Sequence, residues 1–419
     1  IQEDLSGDFQ FSRNSAATRV NAQGLVENVQ ILSSDLVSNG DFSQEGVQEV
    51  SNGSFSQEGA ELVTNGSFDT DSDWTKGTGT TISGGSANFV NADDLALYQS
   101  IGTQSGFVKI TFNVTDYTSG TLNVYSGGNQ SVAIINVSAN ALGTYTAYVD
   151  RNGGNVNIIF GSSDNFNGSI DNVSVKEVGQ DWALGTGWSI GEDKAISDGS
   201  ASQFLMQNVN FLAGKTYAIR FKADLISGDF IFGLFPNASG SVRNVDIGWQ
   251  FTSINVSDVF YLTPTVDILR IGFRTGGGGF IGSISNISVK EVGQNWEVAN
   301  ATSDNYVEFG DGTARLKFLN TSPVTQFLSQ SFSWVSGKKY KLTIDIASIT
   351  SGSIKIAQAG IQEVFNSVGI QERIIEPTGS GNLSFLRNTS NVDITLNSLS
   401  VIEITDDTNL PRINYEGFS

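Results

Sequence analysis

The stretch S-I-D-N-V-S-V-K-E-V-G-Q-D-W at residues 169–182 returns as S-I-S-N-I-S-V-K-E-V-G-Q-N-W at residues 283–296, and that return decides the fold. The copies lie 114 residues apart, and a worn third copy, S-L-S-V-I-E-I, occupies residues 398–404. Upstream, G-K-T-Y-A-I-R-F-K-A-D-L-I-S-G (214–228) matches G-K-K-Y-K-L-T-I-D-I-A-S-I-T-S-G (337–352), with S-G-F-V-K-I-T-F-N-V-T-D-Y-T-S-G (105–120) as the first-unit equivalent. A long fixed period means a serial array of like units. Within a unit, apolar and polar residues alternate strictly from Val108 to Val114, the period of a strand with one face in a core and one in water. Tyr217, Ile219 and Phe221 keep that phase in the second unit, as do Tyr340, Leu342, Ile344 and Ile346 in the third. Gly pairs and Asn-Gly steps punctuate such runs, and helical periodicity is almost absent. The pattern predicts an all-β chain of tandem antiparallel β-sandwich modules.

The repeats divide the chain into an N-terminal segment (1–61), modules at 62–180, 181–294 and 295–405, and a connecting segment at 406–419. Trp74, Trp182 and Trp296 open the three modules and read as framework. The N-terminal segment has its own shorter repeat: N-G-D-F-S-Q-E-G from Asn39, N-G-S-F-S-Q-E-G from Asn52 and N-G-S-F-D-T-D-S from Asn65, thirteen residues apart. Phe68 therefore reads as a first-strand core residue of module one. Phe42 and Phe55 read as duplicated starting strands that pack on a neighbour or lie extended, because thirteen residues form no core of their own.

Composition narrows the function classes. Against 23 basic residues stand 43 acidic ones, a net charge of −20, which repels a phosphate backbone and argues against nucleic acid as a partner. No apolar run is long enough to span a bilayer, so membrane insertion is not expected. The chain opens Ile1-Gln2-Glu3-Asp4 without a leader pattern and holds a single Met, Met206, which suggests a processed or partial chain. With no His and no Cys there is no Ser-His-Asp triad, Cys-His pair or imidazole or thiolate metal site. Paired-carboxylate chemistry stays open on composition alone. The reading is of a non-enzyme.

L-V-T-N-G-S-F-D-T-D-S-D-W-T-K-G-T-G (62–79), followed by S-I-D-N-V-S-V-K-E-V, resembles carbohydrate-binding modules of families 4, 9 and 22. That resemblance implies jelly-roll sandwiches and a glycan ligand. F-S-R-N-S-A-A-T-R-V-N-A-Q-G-L-V-E-N-V (11–29) and L-P-R-I-N-Y-E-G-F-S (410–419) resemble two halves of a segment found in bacteriophage tail-fibre and virion surface proteins, with the sandwiches inserted between them. It implies a phage fibre or receptor-binding structural protein at the virion surface, outside the cell. Its partners would be a host cell-surface polysaccharide and other virion proteins, and its assembly a homo-oligomer, trimeric by analogy. A ligand-free architectural or decoration protein is the nearest rival reading. The glycan-binding region of a secreted bacterial hydrolase or adhesin is another.

Saccharides stack their C–H faces on aromatic rings and take side-chain hydrogen bonds at their hydroxyls. Aromatics that do not repeat between modules are the better candidates: Tyr117 near a turn, Tyr125 out of phase with Leu122 and Val124, and Trp249 and Tyr261, found only in module two. Arg270 and Arg274 lie on the polar phase of their strand and suit acidic sugar groups. Asp69-Thr70-Asp71-Ser72-Asp73 has the spacing of the start of a calcium loop but lacks its later Gly and Glu. In the resembling modules a structural calcium sits where first and last strands meet, which maps to Asp69 and Asp171. A calcium in module one is thus the cofactor expectation, against a plain solvated acidic turn. The four glycines at 276–279 read as a hairpin tip, and they fit no phosphate loop.

Overall fold

The structure is a computed structural model that describes residues 18–20, 26–28, 30–102, 105–127, 137–151, 157–200, 204–235, 248–251, 259–264, 267–299, 305–318 and 328–406. The described elements are β-strands, paired antiparallel. The phage-like segments fall largely outside the described residues; within the first, Thr18–Val20 pairs with Val26–Asn28.

Each module sets two sheets face to face. In the first, one sheet runs in the order Gly143–Asp150, Phe107–Ser119, Phe166–Val178, Ser86–Ala92, Thr80–Ser83. The facing sheet runs Val137–Ala139, Leu122–Gly127, Asn157–Gly161, Leu97–Ser100, Thr75–Lys76. Val108, Ile110 and Phe112 point between the sheets and are fully buried, as the alternation requires. The third module repeats the plan around Lys339–Ser351 and Val392–Asp406.

The second module differs in one respect. Thr216–Phe235 and Ile268–Val292 run unbroken through both sheets, bending from one to the other where Gly228 meets Phe280. The bend needs glycine: a Cβ on Gly228 would lie 1.3 Å from the carbonyl oxygen of Gly279, and both residues have positive φ. The four glycines expected at a hairpin tip are therefore inside a strand, at the corner between sheets. Ile268–Val292 continues across them without a turn.

The thirteen-residue repeats reveal how the chain is threaded. Glu58–Glu61 pairs with Phe166–Val178 of module one, Glu45–Gln48 with Ile268–Val292 of module two, and Gln30–Asp35 with Val392–Asp406 of module three. The three core clusters follow suit. Phe68 packs with Trp74, Phe55 with Trp182 and Phe42 with Trp296, at ring separations of 5.5, 5.3 and 5.5 Å. The N-terminal residues from 30 onward are thus no separate segment. They are three opening strands in reverse order, and the modules close like nested brackets.

The same local structure recurs at each head, V-(S/T)-N-G-x-F. The residue before Asn is clamped by a buried Gln of the facing sheet, which both donates to its carbonyl and accepts from its N–H. The pairs are Thr64 with Gln99 (2.9 and 2.7 Å), Ser51 with Gln207 (2.8 and 2.8 Å) and Ser38 with Gln330 (2.7 and 2.8 Å). The Gly lies against the last strand. A Cβ on Gly66, Gly53 or Gly40 would sit 2.0, 2.0 or 2.1 Å from the carbonyl oxygen of Val173, Ile287 or Leu399. Phe68, Phe55 and Phe42 take positive φ (52°, 57°, 56°), a strained state for an aromatic residue that ring burial offsets.

Nesting has a site of origin in the fold. In module one the chain passes from Phe68 to Trp74 through Asp69–Asp73, and the Asn65 side chain donates to the carbonyls of Thr70 and Ser72 inside that loop. In modules two and three the same loop is opened. The Asn52 amide instead donates to Gln180 O and its oxygen accepts from Gln57 N, so it ties the outgoing chain to the returning one. Asn39 does likewise with Gln294 and Gln44. Each junction between modules is consequently crossed by two stretches of chain.

Candidate functional site

Two places recur in this architecture: the side of each smaller sheet turned away from the core, and the junctions between modules. That side is buried at Tyr125, Ile159, Gly272, Ser329 and Ser384 and half-buried at Tyr98, Met206, Arg270 and Arg274. On module one the smaller sheet sets Tyr98, Ile159 and Tyr125 side by side across three strands. Alternation turns them away from Leu97, Val124 and Phe160, which fill the core. Tyr125 is 8% exposed, and burial pushes its phenol up from the usual tyrosine range, partly countered by a hydrogen bond with Asn123. Tyr98 is half-buried. The reading from sequence found Tyr125 but passed over Tyr98, whose signal is the alternation L-Y-Q-S.

Register places the counterparts. Where module one has Tyr98 and Ile159 beside its clamp Gln99, module two has Met206 and Gly272 beside Gln207, and module three has Ser329 and Ser384 beside Gln330. Arg270 and Arg274 flank Gly272 on this face of module two, paired across strands with Asn208 and Phe204. The Arg274 guanidinium lies 5.8 Å from the centre of the Phe204 ring. The sheet is one, and its chemistry changes from aromatic to basic-aromatic to small polar.

The other candidates fall elsewhere. Trp249 pairs in register with Phe232, a core residue. Tyr117 packs its half-buried ring 6.2 Å from Phe166. Asp69 accepts from Ser67 Oγ, while Asp171 accepts from the backbone and side-chain amides of Asn172. Among the described residues no group of three or more acidic side chains is placed to hold a metal ion. The Asp69–Asp73 loop is the closed form of the loop that carries an inserted module elsewhere.

Tyr261 marks the junction of modules two and three. Its hydroxyl accepts from Asp311 N (2.8 Å) and donates to Asp311 Oδ1 (3.0 Å). Burial pushes its phenol up as well. Beside it opens a cleft of about 820 Å³, lined on one side by Ala213, Gly214, Thr263 and Pro264 and on the other by Tyr306, Glu308, Thr313 and Arg315. Arg315 is held as a fork by Asp393, Nε to Oδ1 and Nη2 to Oδ2 at 2.8 Å each, with Glu308 at 3.3 Å. The pair holds the guanidinium pKa up and the Asp393 carboxyl down.

No family model matches the chain, and no curated protein matches it. Among solved structures it is similar to the tandem CBM22-1–CBM22-2 domain of Paenibacillus barcinonensis Xyn10C, at 12% identity and a TM-score of 0.25, over 56% of this chain and 99% of that one. It is also similar to a chain of the Sulfolobus turreted icosahedral virus (13%, TM-score 0.17) and to one with a triple jelly-roll fold from an archaeal virus turret assembly (15%, TM-score 0.18). Each of these two covers 80% of this chain and 90% of its own. The all-β sandwich assignment stands on the sheets themselves.

Proposed function

We propose that this chain is a structural protein of a virion surface, a serial array of sandwiches that displays module-specific faces to host-surface saccharides. The nested threading carries the reading. Two chain crossings at every junction hold neighbouring modules more firmly than a single linker does. The open ends of the outermost bracket lie side by side, where Gln30 pairs with Asp406. Such an array has a root at module three and an innermost unit at module one, which suits a projection. The phage-like flanking segments supply the particle context, and no nucleic acid or membrane partner is invoked. Among the described residues no helix is long and apolar enough to cross a membrane. Weak faces in series gain avidity through effective concentration, more so in the trimer expected by analogy.

A gold label attached at Ser72, imaged on assembled particles, tests the reading. It should lie farther from the particle centre than a label at Lys338; equal radii, or no chain on the particle, would refute it. A ligand-free spacer is favoured by one observation: on the corresponding sheet of module three the described positions are Ser329 and Ser384, both buried and neither aromatic. Absence of any signal from the intact protein on a glycan array would leave the spacer standing.

A further inference from the structure

We propose that the cleft between modules two and three binds a short neutral oligosaccharide. The inference takes its ligand class from the saccharide reading above, but its site lies on no module face.

The protein contains its own control, because the junction of modules one and two is the same joint. Tyr148 there occupies the place of Tyr261, 3.7 Å from a Cβ built on Gly191; Tyr261 lies 3.0 Å from one built on Gly310. Gly179 abuts Ile190 as Gly293 abuts Phe309. Register then shows what the second joint has and the first lacks. Glu308 and Arg315 stand where module two has Ser189 and Ile196, and Asp393 stands where it has Ile281. Tyr306, two residues before Glu308, corresponds to Gly187. Packing alone does not call for Tyr306 or the Arg315–Asp393 pair, since the corresponding positions of the first joint are Gly187, Ile196 and Ile281.

The lining selects the ligand. Tyr306 offers a half-buried ring with the Lys317 ammonium 5.6 Å from its centre. Aromatic surface and convergent polar groups in a cavity of this size fit a sugar. Thr263, Thr313 and Thr395 add hydroxyls, and Tyr261 is held in place by Asp311. An anion is disfavoured, because the Arg315 fork is already engaged and Glu308, Asp311 and Asp393 outnumber its charge. A saccharide wedged there would also bridge the two modules.

The test titrates the full chain by calorimetry with cellotriose, maltotriose, N-acetylchitotriose and, as the acidic probe, sialyllactose. At least one neutral sugar should bind, weakened about tenfold or more by Tyr306→Ala, in line with the loss of a stacking platform. Ala213→Arg, exposed on the opposite wall, should abolish binding without touching module three. Melting curves of both variants should match the parent, which separates lost binding from lost fold. Binding unchanged in both variants, a preference for sialyllactose, or no binding of any neutral sugar would overturn the proposal. Loss on Tyr98→Ala with none on Tyr306→Ala would overturn the cleft while supporting the module-one face.

Discussion

Replacing Phe55 by Ala should open module two, whose remaining strands begin more than a hundred residues away, and leave modules one and three closed. Phe55 is 1% exposed and its ring lies against Trp182. Truncating a buried Phe to Ala costs about 3–5 kcal/mol, and alanine, which keeps its Cβ, relieves none of the positive-φ strain. At 1.4 kcal/mol per factor of ten, the open population of module two should rise roughly a hundred- to several-thousand-fold, a large part of the ~5–15 kcal/mol that a domain commands. Module three should survive, since an opened module two is for it only a longer loop, and each doubling of loop length costs about 0.6 kcal/mol. Hydrogen exchange read by mass spectrometry resolves the three modules. Faster exchange is expected in Phe204–Phe211, Thr216–Phe235 and Ile268–Val292. Acceleration confined to residues 45–61, or spread evenly over all three modules, would refute the nested assignment.

Three further outcomes follow from the same geometry. A fragment of residues 45–292 should fold with both inner modules, whereas 181–294 alone, lacking Phe55 and Glu45–Gln48, should give a broad or absent melting transition. Gln207→Leu should destabilise module two by about 1–3 kcal/mol, seen in denaturant titration, because the Ser51 N–H loses its partner and its C=O keeps only the Trp182 indole N–H. Acid should loosen module one's opening strand. Hydrogen bonds and charge from Lys109 and Lys176 hold the Glu58 carboxyl below its usual value, so its stabilisation is present above the ordinary Glu range and lost as pH falls through the lowered pKa. In Glu58→Gln the decline of melting temperature on acidification should be shallower.

Sandwich architecture was legible because alternation is a local signal: Val108–Val114 reads as a half-buried strand without knowledge of its partner. The threading was not, because V-(S/T)-N-G-x-F carries identical local information in all three copies, and which body each head joins is decided hundreds of residues away. A trace was present. Between Val178 and Trp182, and between Val292 and Trp296, there is no head motif, so bodies two and three lacked opening strands that only the early repeats could supply. The glycines at 276–279 misled for a related reason: glycine marks a bend, but whether the chain reverses there or passes into a second sheet depends on Gly228 opposite. Of the candidate residues, Tyr125 and the two arginines proved to share the outer face of equivalent sheets, visible only once register is known. Tyr261 was singled out for being unrepeated, yet Tyr148 is its counterpart at the earlier joint; divergence among the residues around it hid the equivalence.

The side-by-side pairing of Gln30–Asp35 with Val392–Asp406 also sets how the molecule bears force. Tension applied across Gln30 and Asp406 peels that one antiparallel pair bond by bond, and modules one and two hang outside the load path until module three gives way. A pull between module one and the outer pair is different. It is shared by two parallel cables at each joint, such as Ser56–Gln57 and Gly179–Asp181 between modules one and two. Nesting thus makes the array weak as a tether strung between its ends and strong as a mast pulled from its tip.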